Sequence, residues 1–549
     1  MPSPITERNG QFFGTWENTS AAELVGDGSR AGVEPTSTDQ KSDPVTAPNR
    51  VRILRNAGAN VARGGVAALM ALVLPPVLTR SMSPAAYGAW ALVLQLSAYI
   101  VYLDFGIQTA IGRFVAYGNE RSDHGYCNRM VSTGVAALSA AGLLALLIAV
   151  VTAALLPQLF HQMPTSILGQ ARAAVLLVAG SLAIGLPFAA FNGVFVGLHR
   201  YDIPALTVGG SRVLSAVFII LVVRSRGSLL GMGLAVAAVN LFACALQYGL
   251  YRKLAAGISL SVRAVKADAF RELFDYCFSL SIWSFASLLV AGADLILVGF
   301  FQYQEVAFYA VASTLVLFLA GLQSAIFNAL LSPAAALHAR GSSGALGRML
   351  LTSTRYGTFL LLLTGIPLLV WAPGILRLWV GPVYAAHGVL YLRMLVVANM
   401  IRLSATPYSV LLMGTAQQKL AIGSPIFEGL TNLLVSLIGG YWFGAIGVAV
   451  GTLVGAVVGV LVHFVRNLKR TTEIRISTRE FLRDGLMGPV VCIVPLLAGA
   501  AWISTAGKSL MFLVVLLTAF VLTSLLAWRC GVLKSERDWL KSRVLRSAR

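Results

Sequence analysis

Apolar residues along this chain neither alternate nor gather on one face of short helices. They come in long, nearly unbroken runs separated by short polar intervals. A helix needs roughly 20 residues to cross the hydrocarbon core of a bilayer. Fourteen runs approach that length, near 58–79, 88–112, 133–155, 173–196, 203–223, 229–250, 279–300, 307–332, 353–373, 389–413, 420–439, 444–465, 486–504 and 509–529. Strands of a membrane barrel would show about ten residues of period-two pattern instead. The pattern therefore predicts an all-α polytopic membrane protein with about 14 transmembrane helices. Residues 1–50, rich in Ser, Thr, Gly, Pro and Asp, predict a disordered tail without an apolar cleavable signal.

Composition agrees: 57% of the residues are hydrophobic and 12% charged, against about 25% charged in soluble domains. The net charge of +20 would suggest nucleic acid in a soluble chain, so its distribution decides its meaning. The loops after spans 2, 4, 6, 8, 10 and 12 hold eighteen Lys and Arg, including Arg113, Arg121, Arg129 and Arg271, while the opposite loops hold six. Positive residues stay on the cytoplasmic side, which predicts cytoplasmic termini and no nucleic-acid partner. The five cysteines lack metal or disulfide spacing and read as packing residues.

The chain also repeats itself. FNGVFVGLHRYDIPALTV from Phe191 resembles YSVLLMGTAQQKLAIGSP from Tyr408, and Gly233-Leu-Ala-Val-Ala237 matches Gly447-Val-Ala-Val-Gly451. YGAWALVLQLSAY from Tyr87 pairs with FYAVASTLVLFLA from Phe308. Helices 1–6 thus correspond to helices 7–12. Six spans return a chain to its starting side, so a pseudo-twofold axis along the membrane normal is expected, with helices 13 and 14 added. The segments are a 1–50 tail, an N-lobe over 51–255, an inter-lobe linker over 256–278, a C-lobe over 279–467, helices 13–14 within 468–532 and a basic tail over 533–549.

NAGANVARGG in the first span, LTRSMSPAAYGAW leading into LDFGIQTAIGRF, and ADLILVGFFQYQEVAFYAVAS, set in a 6+6+2 plan, resemble the polysaccharide-repeat (O-antigen type) flippases. Their superfamily also holds the lipid II flippase and the multidrug and toxin extrusion antiporters. The resemblance covers about residues 50–530. It implies two six-helix lobes around a cavity, a bacterial inner-membrane location, an oligosaccharide on a polyprenyl pyrophosphate carrier as substrate, and partners among membrane lipids and polysaccharide polymerase machinery.

A charge at the bilayer centre costs roughly 2.5 kcal/mol or more, so those that persist face an interior or a wet cavity. Six do: Arg63, Asp104, Arg212, Asp294, Arg402 and Glu428. At about 100° per residue, Asn56, Asn60 and Arg63 share a face, as do Ser97, Asp104 and Gln108. So do Asn399, Arg402, Thr406 and Ser409, and Ser424, Glu428, Thr431 and Asn432. Arg212 has only Ser215 near its face, and Asp294 only Ser287. Arg63, Arg212 and Arg402, with Asn60 and Asn399, are the candidates to hold a pyrophosphate, because arginine presents a planar fork of donors. Asp104, Asp294 and Glu428 are the candidates to neutralise those arginines or to bind a coupling proton or sodium ion.

Enzyme chemistry finds no support. Asp104-Phe105-Gly106 lacks every companion motif of a kinase, the histidines are scattered, and no His-Glu-x-x-His or Cys-x-x-Cys occurs. Neither a metal nor an organic cofactor is implied. The sequence predicts a flippase moving lipid-linked oligosaccharide by alternating access, with a cation-coupled multidrug antiporter or a lipid II flippase as the alternatives.

Overall fold

The computed structural model describes residues 70–225, 227–255, 257–278, 293–474 and 476–492, with a few positions between 494 and 526. The 1–50 tail, the 533–549 tail, Asn60, Arg63 and Ser287 lie outside the described residues. Among the described residues there is helix and no strand.

In chain order the helices that matter here are α1 Pro84–Val101, α2 Ile107–Glu120, α3 His124–Leu159, α4 Thr165–Gly197, α5 Gly210–Arg224, α6 Leu229–Leu254, α7 Asp294–Phe301 and α8 Val306–Asn328. They continue with α9 Leu331–Ala339, α10 Ser343–Val370, α11 Ala372–Trp379, α12 Pro382–Ser404, α13 Thr406–Gly414, α14 Gln418–Phe443 and α15 Ala445–Leu461. Ten helical stretches are long and apolar enough to cross a membrane. They coincide in order with predicted spans 2–6 and 8–12; spans 1, 7, 13 and 14 lie wholly or partly outside the described residues. The stretch 256–278, predicted as a linker, turns helical at 267, because Ala269, Leu273 and Cys277 recur on one face and bury it.

Polar punctuation sets the helix ends. Ser83 accepts from Ala86 N and precedes Pro84, Asp123 accepts from Tyr126 N at 2.8 Å, and Ser228 accepts from Gly231 N. Each satisfies a donor that the first turn leaves orphaned. Span 2 is not one straight helix. It breaks after Val101 through a short 3₁₀ turn, with Phe105 at φ 48° and Gly106 at φ 79°.

The helices pack in two groups. In the first, α4 is the hub, against α1, α2, α3 and α6. In the second the hub is α12, against α8, α10, α11 and α15. These are the fourth and tenth spans, as the internal repeat leads one to expect. The groups meet where α1 lies on α7 and α8; a side chain on Gly88 would stand 3.3 Å from Ala307 N. One apolar core runs through both groups at this end, including Tyr87, Trp90, Phe160, Tyr303, Phe308 and Tyr384. At the other end each group has its own core, one around Phe114, Phe195 and Tyr251, the other around Tyr408, Phe464 and Phe481.

Polar contacts latch the shared end. Tyr303 OH donates to Ala85 O at 2.7 Å, Tyr303 N to Gln162 Oε1 at 3.1 Å, and Gln162 Nε2 to Phe301 O at 3.3 Å. Trp379 Nε1 donates to Leu72 O at 2.9 Å. These residues belong to loops predicted periplasmic, or sit next to them, so the shared core and its latch lie at the predicted periplasmic end.

Candidate functional site

A cavity of about 550 Å³ lies where the two groups meet. Its walls come from α1, α5 and α6 on one side and from α7 and α8 on the other, with residues of the helical stretch 70–81 between them. Most of the lining is apolar, as a small-molecule site usually is. The polar minority converges: Gln95 from α1, Ser211, Arg212 and Ser215 around α5, Asn240 from α6, Ser313 and Thr314 from α8. Among the described residues lining the cavity, Arg212 is the charged one. It is exposed, and among the described residues no carboxylate pairs with it. Ser313 and Thr314 donate to Ala310 O at 3.0 and 2.7 Å, which leaves their oxygens able to accept. Trp90, 1% exposed, also lines the cavity, and its buried indole N–H has no acceptor among the described residues.

The other charges sit in different settings. Arg402 Nε donates to Glu428 Oε1 across α12 and α14, and Glu428 is buried. Arg402 is thus neutralised inside the second group rather than presented to the cavity. Asn399 is buried too, and donates to Gln323 Oε1 at 3.1 Å, while Gln323 donates to Thr364 at 2.6 Å. The expected face of Asn399, Arg402, Thr406 and Ser409 is divided, because α12 ends at Ser404 and Ser409 turns to His463 Nε2 at 3.1 Å. Asp104 falls in the break of span 2, where its Oδ1 accepts from Gly106 N at 2.6 Å. Its carboxylate caps the turn that restarts the helix, and the stripe with Ser97 and Gln108 is interrupted.

Asp294, at the first turn of α7, gathers the densest polar set. Its Oδ1 accepts from Asn432 Nδ2 at 3.0 Å and its Oδ2 from Thr452 Oγ1 at 2.8 Å. Tyr309 OH lies 3.4 Å from the same oxygen. Ser436 donates to Asn432 Oδ1 at 2.9 Å and to Val448 O at 3.1 Å. This closeness depends on glycine. Gly447, Gly451, Gly455 and Gly459 line one face of α15 against α14, the small-residue spacing by which membrane helices approach closely. A side chain on Gly459 would come within 2.7 Å of Glu428 Oε2.

Sequence reasoning missed Gln95, Trp90 and Asn240 because it followed charges; two of the three are amides within apolar runs, a signal that was there to read. It missed the Asp294 set because the partners lie on α8, α14 and α15, more than a hundred residues away except for Tyr309.

The model of one family, described as polysaccharide biosynthesis protein, matches residues 53–336, over half of the 549. The chain belongs to the polysaccharide biosynthesis protein family. Among solved structures it is similar to the lipid II flippase MurJ in an inward closed conformation. The TM-score is 0.67 and the identity 13%, over 86% of this chain and 98% of that one. It is also similar to a multidrug resistance MATE family transporter of the MOP superfamily in an inward-facing conformation, with TM-score 0.55 and 17% identity, over 76% of this chain and 96% of the other. No curated protein matches it. At these identities the likeness is one of fold. This member of the polysaccharide biosynthesis family is a multi-pass, all-helical membrane protein with the architecture of those two.

Proposed function

We propose that this protein is a flippase that carries a polyprenyl-pyrophosphate-linked oligosaccharide from the cytoplasmic to the periplasmic leaflet of a bacterial inner membrane. It works by alternating access between the two helix groups, with both termini cytoplasmic. The observation that carries the reading is Arg212, a cation without a carboxylate partner among the described residues, facing a cavity between the groups. An antiporter for cationic drugs would place carboxylates there, and among the described lining residues there are none.

The mechanism follows from two solvents. The oligosaccharide needs hydrogen-bonding partners while it crosses, and Gln95, Asn240, Ser313 and Thr314 supply them beside the arginine. The pyrophosphate is held by the guanidinium fork, and the carrier chain stays in the hydrocarbon. Asp294, with the Asn432 amide N–H against its Oδ1 and the Thr452 hydroxyl against its Oδ2, is a carboxylate that a proton or a sodium ion can neutralise. Binding there neutralises a charge next to α7, which touches α1 of the other group. Cation occupancy is thereby coupled to the contact between groups.

The test is transport of lipid-linked oligosaccharide in proteoliposomes by the wild type and by Arg212→Lys and Arg212→Gln. A charge-assisted hydrogen bond contributes about 1.5–3 kcal/mol, so Arg212→Gln should lose roughly tenfold or more, with Arg212→Lys in between. Normal transport by well-folded Arg212→Gln would remove the anionic-substrate reading.

A further inference from the structure

On the outer side of the first helix group, α2, α3 and the helical stretch 267–278 enclose a groove of about 550 Å³. Everything that faces lipid is apolar, so its apolarity alone distinguishes nothing. Its shape and its rim do. One wall is low, built of Ala137 and Ala140 of α3, with Phe105 at the break of span 2 beside it. The other is a ladder of rings, Phe270, Phe274 and Phe278, with centroids 6.3 and 6.1 Å apart in succession and each about half exposed. At about 1.5 Å per residue the ladder extends roughly 12 Å.

Arg113 of α2, Arg121 just after it and Arg129 of α3 lie nearer the predicted cytoplasmic face, each against an aromatic ring. Arg113 lies 4.7 Å from the Tyr276 centroid, Arg121 4.2 Å from Tyr117 and Arg129 5.9 Å from Tyr126. Stacking uses the face of a guanidinium and leaves its N–H edges free for an anion. Two carboxylates lie among these rings: Glu272 accepts from Tyr126 OH at 2.7 Å and Asp123 Oδ1 from Tyr126 N at 2.8 Å, and none of the three arginines has an ion-pair partner among the described residues. Along α3 the rim at Arg129 stands about 16 Å from Ala140. Cations near the interface above a chain-wide furrow in the hydrocarbon are complementary to an amphiphile with an anionic head.

We propose that this groove and its rim are a docking site for the polyprenyl pyrophosphate carrier, separate from the inter-lobe cavity. The assignment rests on the flippase reading. The methyl branches and double bonds of an isoprenoid chain recur at short regular intervals and fit between evenly spaced rings, where a saturated acyl chain has nothing to place. The two phosphates meet Arg113, Arg121 and Arg129. The cavity's α1 leads through the break at Phe105 into α2, so a carrier docked here lies beside the way into the gap between the groups.

The experiment measures how many molecules of labelled undecaprenyl pyrophosphate the full chain binds in nanodiscs, with phosphatidylglycerol as competitor. Wild type should bind two, Ala140→Trp one, and the rim variant Arg113→Gln/Arg121→Gln one. Ala140 is exposed, so tryptophan fills the groove without entering the core, and the rim variant leaves the groove intact should Ala140→Trp fold poorly. Arg212→Gln should keep the groove molecule and lose the cavity one. Unchanged stoichiometry in folded Ala140→Trp and in the rim variant overturns the docking site, and so does equal displacement by phosphatidylglycerol. A single wild-type molecule that Ala140→Trp removes and Arg212→Gln does not would leave the docking site standing and the cavity reading overturned.

Discussion

Arg402 and Glu428 illustrate what a membrane-buried ion pair costs when it is broken. Removing the arginine leaves Glu428, 8% exposed in its side chain, as an unpaired charge between α14 and α15, a loss on the order of 3 kcal/mol. Arg402→Ala should therefore lower the yield of folded, monodisperse protein and its thermal midpoint. The exchange Arg402→Glu/Glu428→Arg should recover much of the yield. Transport measured per folded molecule separates this from a substrate role: a well-folded Arg402→Ala that binds carrier normally confirms the pair as structural. Charges within apolar runs were legible in the sequence, and of the six, Glu428 is buried while Arg212 is exposed and Arg63 lies outside the described residues. Their ranking was not. Arg212 looked weak because its companions, Gln95, Asn240 and Thr314, sit on other helices, and Arg402 looked strong because the neighbours on its own helix were polar.

At the scale of elements, the glycines of α15 govern whether the Asp294 set can form. A methyl on Gly455 would meet Asn432 Cβ at 2.8 Å and Glu428 O at 2.9 Å, contacts that force the helices apart at a cost of about 1–3 kcal/mol. Gly455→Ala should lower the thermal midpoint and weaken any sodium or proton dependence of transport. Gly249→Ala is the control: nothing stands within 4 Å of its added methyl, and the change should be neutral or slightly stabilising. The spacing Gly447, Gly451, Gly455, Gly459 is visible in the sequence, where only Gly447 and Gly451 served, as part of the internal repeat. Spans 2–6 and 8–12 were legible because length and apolarity suffice for a helix that must satisfy its own backbone in lipid. The break after Val101 was not, because it depends on two successive left-handed residues, of which only Gly106 announces itself.

For the whole molecule, the latch between Gln162, Tyr303 and Ala85 must open if cargo is to leave on the predicted periplasmic side. A chain with Gln162→Cys and Tyr303→Cys, joined by a short thiol cross-linker, should bind carrier but stop transporting, and should resume once the link is cleaved. Unimpaired transport with the link in place would mean that the groups separate elsewhere. The shared aromatic core at that end, where Tyr384 lies 6.0 Å from Tyr87 and 5.4 Å from Phe308, has a calorimetric consequence. Parting it wets apolar surface, and wetting apolar surface raises heat capacity by about 0.45 cal/K/mol for each Å². The two conformations should therefore differ in heat capacity, and transport rates should bend rather than follow a straight line when plotted against reciprocal temperature. Replacing Tyr384 with serine reduces the surface to be wetted, so the curve should straighten; a straight wild-type plot would place the slow step of the cycle away from this seam.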